Sequence, residues 1–217
     1  MNTSWTNQFR NWRAPDVQRA FGLTQDYSGE LLRSWIATQH PIPATYTELL
    51  ERLRYDLLRL HPGWNETELM GRFIAPLLAA IGFDGPGYSL FFERPLSLEL
   101  PDGKRVAGTV YALVAAGDYE PLQPYFFLHE FKRSHGSEAD PQGQLLVALA
   151  VAQRLNTSAA PLYGCYVVGK FWHFVWLEGS VYGLTQGYDA SDAGELALIW
   201  SLLAETKQRI ARQASPH

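Results

Sequence analysis

The segment PYFFLHEFK, from Pro124 to Lys132, decides the fold because it predicts a strand that is covered on both sides. Strict alternation places Phe126, Leu128, Glu130 and Lys132 on one face and Tyr125, Phe127, His129 and Phe131 on the other. Both faces are largely apolar, so we expect helices to cover both sides of this strand. Charged groups at the end of such a strand, roughly 7 Å apart, need a partner, water or a function to offset the cost of burial.

The elements around this segment alternate between strand and helix patterns. Strand patterns occupy residues 88–100, 103–116, 124–132, 161–169, 170–179 and 180–188. The first two are joined by the turn at Pro101-Asp102-Gly103. Residues 142–155, after the helix-start signal at Asp140 and Pro141, form a helix that is apolar on nearly every side, and a last helix runs from about Asp192 to Ile210. The order predicts an α/β (α+β) fold, with a sheet covered by helices on both faces.

Two further helices are predicted ahead of the strands. Apolar residues recur at helical spacing from Thr45 to Leu60, and Asn65 with Glu68 forms a capping box for a helix that ends at Gly82. Residues 1–43 contain two short helix-like stretches before the breaker HPIP, which we interpret as a helical N-terminal arm. We therefore divide the chain into an arm (1–43), a main domain (44–213) and a polar tail (214–217).

Composition excludes several classes of protein. The chain has 217 residues, 47% hydrophobic, with a net charge of −4, so we expect one folded domain and not a disordered chain. The single Cys165 can form neither an intramolecular disulfide nor a cysteine-based zinc site, and we expect a cytoplasmic protein. We expect no export signal and no membrane span. Nucleic-acid binding would have to be local or metal-assisted, because a pI near 5.9 gives no global basic field.

Four residues are candidates for chemistry. Glu130 and Lys132 suit a phosphodiesterase half-site, in which the carboxylate binds Mg²⁺ and the lysine holds water or phosphate. The alternative is a partly wet pair at a strand end. Glu66 lies on the apolar stripe of its helix, although a first-turn acid is also favoured by the helix dipole. Gln144 lies in the first turn of the helix that follows the strand, where it could equally solvate the helix end.

Other polar residues have simpler explanations. We interpret His129 as a satisfied core or surface histidine and Cys165 as packing. Asp102 and Asp118 lie in turn-like sequences that account for them. No GxxxxGK, GxGxxG after a strand, HExxH or GxSxG pattern is present, which leaves nucleotide-binding, zinc-protease and serine-hydrolase functions without support.

Several motifs together resemble the PD-(D/E)XK nuclease-like superfamily. They are WNETELMGRFIAPLLAAIGF, RVAGTVYALVA, FFLHEFK, DPQGQLLVALAVAQ and PLYGCYVVGKFWHFVWLEG, between about residues 65 and 188. The chain is most similar to small bacterial proteins related to the amino-terminal nuclease region of type I restriction subunits. The resemblance implies a restriction-endonuclease-like core with a central mixed sheet. It also implies Glu130 and Glu66 as metal-site residues for Mg²⁺ or Mn²⁺, Lys132 as the residue that orients the nucleophile, and Gln144 as support.

One position departs from the superfamily pattern. An aspartate is expected after the glycine of the second strand, but this chain reads Gly108-Thr109-Val110-Tyr111. A phenol is a poor substitute for the principal carboxylate ligand of Mg²⁺, so we expect hydrolysis to be lost. We predict that the Tyr111 ring points along the face of Thr109 and Leu113, towards Glu66 and Glu130. Rescue would require a migrated carboxylate from Asp102, Asp118 or Glu120.

Two functions of different class follow. One is a nuclease-like protein of metal-dependent DNA hydrolysis, which is either still active or inactivated by the replacement of the aspartate by Tyr111. The other is a non-catalytic module that keeps the fold and binds nucleic acid or a protein partner. Convergence of Glu66, Glu130 and Lys132 in one solvent-reachable cluster favours the first, whereas a pocket filled by Tyr111 favours the second.

Overall fold

The predicted strand at the centre of the chain is β5 (Leu122–Lys132), which lies between β4 (Arg105–Ala116) and β6 (Leu162–Val168). The computed structural model describes residues 6–132, 140–156 and 158–214. Within those ranges the strands form one mixed sheet in the order β1-β4-β5-β6-β7-β8-β2, with β3 on the other edge of β4 and β9 against β7. The remaining strands are β1 (Thr6–Gln8), β2 (Thr24–Gln25), β3 (Tyr88–Glu99), β7 (Phe171–Glu178), β8 (Val181–Leu184) and β9 (Tyr188–Asp189).

Seven α-helices in the described ranges cover the two faces of the sheet. They are α1 (Ala14–Phe21), α2 (Glu30–Ile36), α3 (Ala44–Leu60), α4 (Glu66–Leu69), α5 (Ala75–Ile81), α6 (Pro141–Leu155) and α7 (Ala193–Ala214). Pairs β5–β6, β1–β4 and β2–β8 are parallel and the others are antiparallel. This confirms a mixed α/β fold with helices on both faces. None of the helices described is both long enough and apolar enough to cross a bilayer.

One core lies on each side of the sheet. On one side, which is called the helix face, residues of α2 to α5 and α7 pack against Phe127, Cys165 and Phe174 of the strands. On the arm face, α1, α6 and the residues that precede α1 pack against Leu128 and Val175. The buried thiol of Cys165 has a raised pKa because burial penalises the thiolate, which agrees with a packing role.

The apolar helix α6 is covered on all sides because the arm closes over it. Its residues 143–152 are buried without interruption, as the sequence predicted. A Cβ at Gly143 would lie 2.5 Å from the carbonyl oxygen of Trp12, so only glycine permits this approach. Asp140 joins the two elements, since one carboxylate oxygen accepts from the Gly143 N–H (3.0 Å) and the other from the Ala14 N–H (2.9 Å).

The arm contains the two predicted helices and two strands that the sequence did not predict. β1 pairs with β4 and β2, between α1 and α2, pairs with β8, so two short segments of the arm join the sheet. Strands of two and three residues carry too little alternation to be recognised. At the other end of the chain, α7 continues to Ala214, beyond the predicted end at Ile210.

Two periodic patterns are interrupted in the structure. The capping box of Asn65 and Glu68 is confirmed, with both hydrogen bonds at 2.9 Å, but residues 70–74 of the following helix are π-helical. In β5, Val114 and Ala115 of β4 pair with Phe127 and Tyr125, so Phe126 is an inserted residue. Phe126 therefore packs on the helix face with Phe127, and the prediction that it shares a face with Leu128 was wrong.

Candidate functional site

The candidate site lies where β4 and β5 part. Their pairing extends only as far as Ala112 with His129, whereas β1 takes the same edge of β4 at Arg105 to Ala107. Residues 108–111 of β4 therefore lie beside an opening between β1 and β5. Two neighbouring cavities meet at this opening, and both include Tyr111 and Glu93 in their walls.

The first cavity, of about 420 Å³, lies on the arm face and is called the Glu130 cavity. Its walls include Phe9, Arg10, Glu93, Tyr111, Glu130 and Gln144. Glu130 and Gln144 are 5% and 4% exposed, so both polar side chains are buried at its floor. A carboxylate oxygen of Glu130 accepts from the Phe131 N–H at 3.3 Å. The sequence predicts that Gln144 supports the site of Glu130, and both residues line this cavity.

The arm forms one wall of the Glu130 cavity. The ring of Phe9 lies on Gly108, where a Cβ would approach it to 2.3 Å. Phe9 is buried, while the neighbouring Arg10 is exposed and carries a positive charge to the cavity. The sequence pattern assigned the arm no role in the site.

The second cavity, of about 650 Å³, is called the Glu66 cavity. Its walls include Glu66, Met70, Glu93, Arg94, Tyr111 and Phe131. Glu66 is half-buried at the start of α4, immediately after the capping residue Asn65. It therefore reaches the same opening as Glu130, but through a different cavity.

Tyr111 stands between the two carboxylates. Its ring packs against Phe131 with centroids 4.3 Å apart, and its hydroxyl lies 3.5 Å from Glu66 Oε2. That distance is long for an O–H···O hydrogen bond, so the hydroxyl contact is weak and ring packing holds the side chain. Tyr111 thus lines both cavities and lies beside Glu66.

The side on which Tyr111 packs differs from the prediction. Val110 and Leu113 pack on the arm face, but Ala112 packs on the helix face and Tyr111 packs against the helix-face core. Simple alternation is therefore broken at Tyr111, and its ring does not share a face with Leu113. The prediction from period 2 was wrong here because the backbone is irregular at this point.

Glu93 is the site residue that sequence reasoning missed. The β3–β4 register runs from Phe92 with Ala112 to Arg94 with Val110, which places Glu93 opposite Tyr111. Glu93 has φ of +52°, and it is the one non-glycine residue with positive φ among the described residues. Such a backbone costs on the order of 1–3 kcal/mol, and these conformations cluster at functional sites. A charged residue between Phe92 and a basic residue gave no signal of this geometry.

The remaining predicted residues are only partly placed. The backbone of Lys132 pairs with Val168 of β6, and its side chain lies outside the described part of the structure. Asp102, Asp118 and Glu120 are exposed and line neither cavity, so the three proposed migrated carboxylates do not reach the site. Over residues 6–132, 140–156 and 158–214, no three His, Cys, Asp or Glu side chains form a group suited to a metal ion.

His129 corrects another expectation. It is fully buried on the helix face, beside Phe131 and Trp172, and neither ring nitrogen has a hydrogen-bond partner among the described residues. The histidine is therefore a core residue but not a satisfied one. Burial lowers the pKa of His129 to about 3, which keeps the imidazole neutral.

Comparison with known proteins assigns no function to this site. No protein-family model matches the chain, and a search of curated proteins gives no significant match.

Proposed function

We propose that this protein is a PD-(D/E)XK nuclease-like protein, built on a restriction-endonuclease-like core, in which Tyr111 has closed the site for phosphodiester hydrolysis. The observation that carries the proposal is the position of Tyr111, between Glu66 in one cavity and Glu130 in the other. The motif resemblance supplies the superfamily, and the mixed sheet with helices on both faces is compatible with it.

The described residues do not fit a hydrated Mg²⁺ or Mn²⁺ ion. The ring of Tyr111 is held against Phe131 at 4.3 Å, and its hydroxyl faces the Glu66 carboxylate. A metal in this place would need hard carboxylate oxygens and room for its own water molecules, whereas the Tyr111 phenol offers neither. We therefore derive no metal-dependent step for the chain as it stands.

Binding of a phosphate backbone is the function that this site could retain. Arg10 carries a positive charge to the Glu130 cavity and Arg94 carries one to the Glu66 cavity. Guanidinium groups suit phosphate oxygens, and local contacts of this kind do not need a basic protein overall. These two arginines favour nucleic acid over a protein partner in the second candidate function, a non-catalytic module, although Glu66, Glu93 and Glu130 line the same cavities and act against a phosphate.

The test is to replace Tyr111 by a carboxylate. Tyr111→Asp should supply the missing ligand between Glu66 and Glu130, raise the affinity for Mn²⁺ and give measurable cleavage of DNA. Tyr111→Asn is the matched control, because it vacates the same ring volume without adding a charge. Both variants should lose stability by about 3 kcal/mol from the vacated volume, so their folding is checked first by thermal unfolding.

Calorimetry with Mn²⁺ and cleavage assays on single- and double-stranded DNA provide the readouts. Cleavage by Tyr111→Asp that disappears on adding Glu130→Gln supports the proposal. Cleavage by the wild type that depends on Glu130 would show that the site is active and the proposal wrong. If Tyr111→Asp binds no more Mn²⁺ than Tyr111→Asn, the assignment of position 111 is wrong.

A further inference from the structure

A third cavity, of about 560 Å³, lies at the opposite end of β5 from the candidate site. It is called the arginine cavity, and its walls include Tyr125, Asn156, Tyr163, Arg209, Arg212 and Gln213. Tyr125 and Glu130 are five residues apart along one strand, or about 16 Å. The two regions therefore share a strand but no lining residue.

The charge of this cavity is one-sided. Two guanidinium groups, from Arg209 and Arg212 of α7, line it, and no aspartate or glutamate among the described residues does. Both guanidinium groups donate to the same oxygen, Glu205 Oε1, at 2.7 and 3.1 Å. Glu205 balances one of these two charges, and the exposed Glu178, which is not a lining residue, also acts on the Tyr163 hydroxyl, so the excess of positive charge is confined to the lining itself.

Glu205 itself stays ionised behind the cavity wall. Burial works to raise its pKa, but hydrogen bonds from His40 and Arg209 and the charges of Arg209 and Arg212 outweigh burial and lower it. Its second oxygen lies 2.9 Å from His40 Nε2. Because both carboxylate oxygens are engaged, Glu205 orients the arginines without entering the cavity.

The two arginines differ in how firmly they are held. The side chain of Arg209 is 15% exposed, lies over the ring of Trp176 at 4.8 Å and also donates to the carbonyl oxygen of Ser34. The side chain of Arg212 is 65% exposed, and its guanidinium group donates to Glu205. Arg209 is therefore a fixed charge, and Arg212 keeps N–H groups accessible to solvent.

The rest of the wall combines aromatic and proline side chains with the polar residues Asn156, Ser158 and Gln213. The Asn156 side chain accepts from the Tyr125 N–H and donates to the Tyr125 carbonyl oxygen, both at 2.8 Å, which fixes the rim. Tyr163 is 2% exposed, and burial raises the pKa of its hydroxyl although Arg209 acts in the opposite direction. At neutral pH Tyr163 therefore offers a neutral O–H beside the arginines.

We infer that the arginine cavity binds a small oxyanion that carries a flat apolar group. The oxyanion would contact Arg212 and Arg209, and the flat group would lie against the half-buried Pro124, Tyr125 and Pro161 of the wall. The inference does not depend on the proposed function, since the arginine cavity shares no lining residue with the Glu66 cavity or the Glu130 cavity.

Phenyl phosphate is the probe, with inorganic phosphate and benzyl alcohol as probes of each half. We expect saturable binding of phenyl phosphate by calorimetry, and weaker binding of the other two. Arg212→Gln should lower the affinity for phenyl phosphate on the order of tenfold, as expected for a lost hydrogen bond to a charged group. Arg59→Gln removes an exposed arginine of α3 outside the cavity and should leave the affinity unchanged.

A second variant keeps the inference testable if Arg212→Gln does not fold. Tyr163→Phe keeps the buried ring and removes only the hydroxyl. It should lower the affinity for phenyl phosphate severalfold and leave the affinity for benzyl alcohol unchanged. Absence of saturable phenyl phosphate binding to the wild type overturns the inference. So does an equal loss of affinity in Arg212→Gln and Arg59→Gln, which would indicate general charge attraction. Tyr111→Asp should bind phenyl phosphate as the wild type does, which separates this result from the proposed function.

Discussion

The two ends of β5 open onto cavities of opposite character. At the Glu130 end, β4 and β5 part, two buried or half-buried carboxylates approach one tyrosine, and Glu93 has a costly backbone conformation. At the Tyr125 end, the strand is bulged but paired, and two arginines from α7 face a cavity whose described lining residues include no carboxylate. Charge alone would suggest different ligands, a cation at one end and an anion at the other.

The comparison teaches that acidic side chains do not by themselves make a cation site. At the acidic end Tyr111 occupies the space between Glu66 and Glu130, and one arginine lines each of the two cavities. At the basic end the arginines are already oriented by Glu205, so a ligand would meet groups in place. The end of β5 that carries the arginines is therefore the better prepared of the two to bind a ligand.

The largest expected effect concerns the middle of the strand, which both ends share. His129 has a pKa of about 3 in the folded state and 6.5 in the unfolded state. Between these values the unfolded state binds more protons, so stability is full above pH 6.5 and falls as the pH is lowered. At pH 4.5 the loss is about 3 kcal/mol. Urea unfolding at pH 7 and pH 4.5 measures it.

His129→Phe should remove this loss and leave both ends of β5 intact at acid pH. His173→Phe, at a half-buried histidine of β7 stacked on Tyr166, is the matched control. If the wild type and His129→Phe lose stability equally between pH 7 and pH 4.5, the titration of His129 does not limit the strand.

A change at Gly108 should affect only the acidic end. Gly108→Ala places a Cβ 2.3 Å from the ring of Phe9, so the arm must move away from the Glu130 cavity. We expect a loss of about 2 kcal/mol from overpacking. Hydrogen exchange should show reduced protection of residues 6–12.

Gly63→Ala is the control for this change, because nothing lies within 4 Å of a Cβ at Gly63. Binding of phenyl phosphate in the arginine cavity should not change in either variant. Loss of that binding in Gly108→Ala alone would show that the two ends are coupled, contrary to the comparison.

The smallest expected effect concerns Glu93. Glu93→Gly removes a non-glycine residue from positive φ and should stabilise the fold by about 1 kcal/mol in thermal unfolding. Glu99→Gly, at the exposed end of the same strand, should instead cost about 1 kcal/mol because glycine weakens a regular strand. Destabilisation by both would mean that the Glu93 side chain makes contacts that outweigh its backbone cost.

Most of the fold could be predicted because its signals are local. Alternation identified β3 to β8, the uniform apolarity of α6 indicated burial on all sides, and the capping residues Asn65 and Asp192 set helix starts. Patterns of period 2 failed at Phe126 and Tyr111, where one inserted residue and one irregular pair change which face a side chain takes. A bulge has no periodic signature, so it could not be predicted from these segments.

The candidate site was predictable in its residue types but not in its arrangement. The sequence by itself determined that Glu66, Glu130 and Gln144 would be available and that a tyrosine stands where an aspartate is expected. Only the tertiary structure decided that Glu93 lies opposite Tyr111, that Phe9 rests on Gly108, and that α7 brings two arginines to the start of β5. The reason is that hydrophobic period and capping act over a few residues, whereas these contacts join segments separated by about 20 to 100 residues and depend on register and close approach.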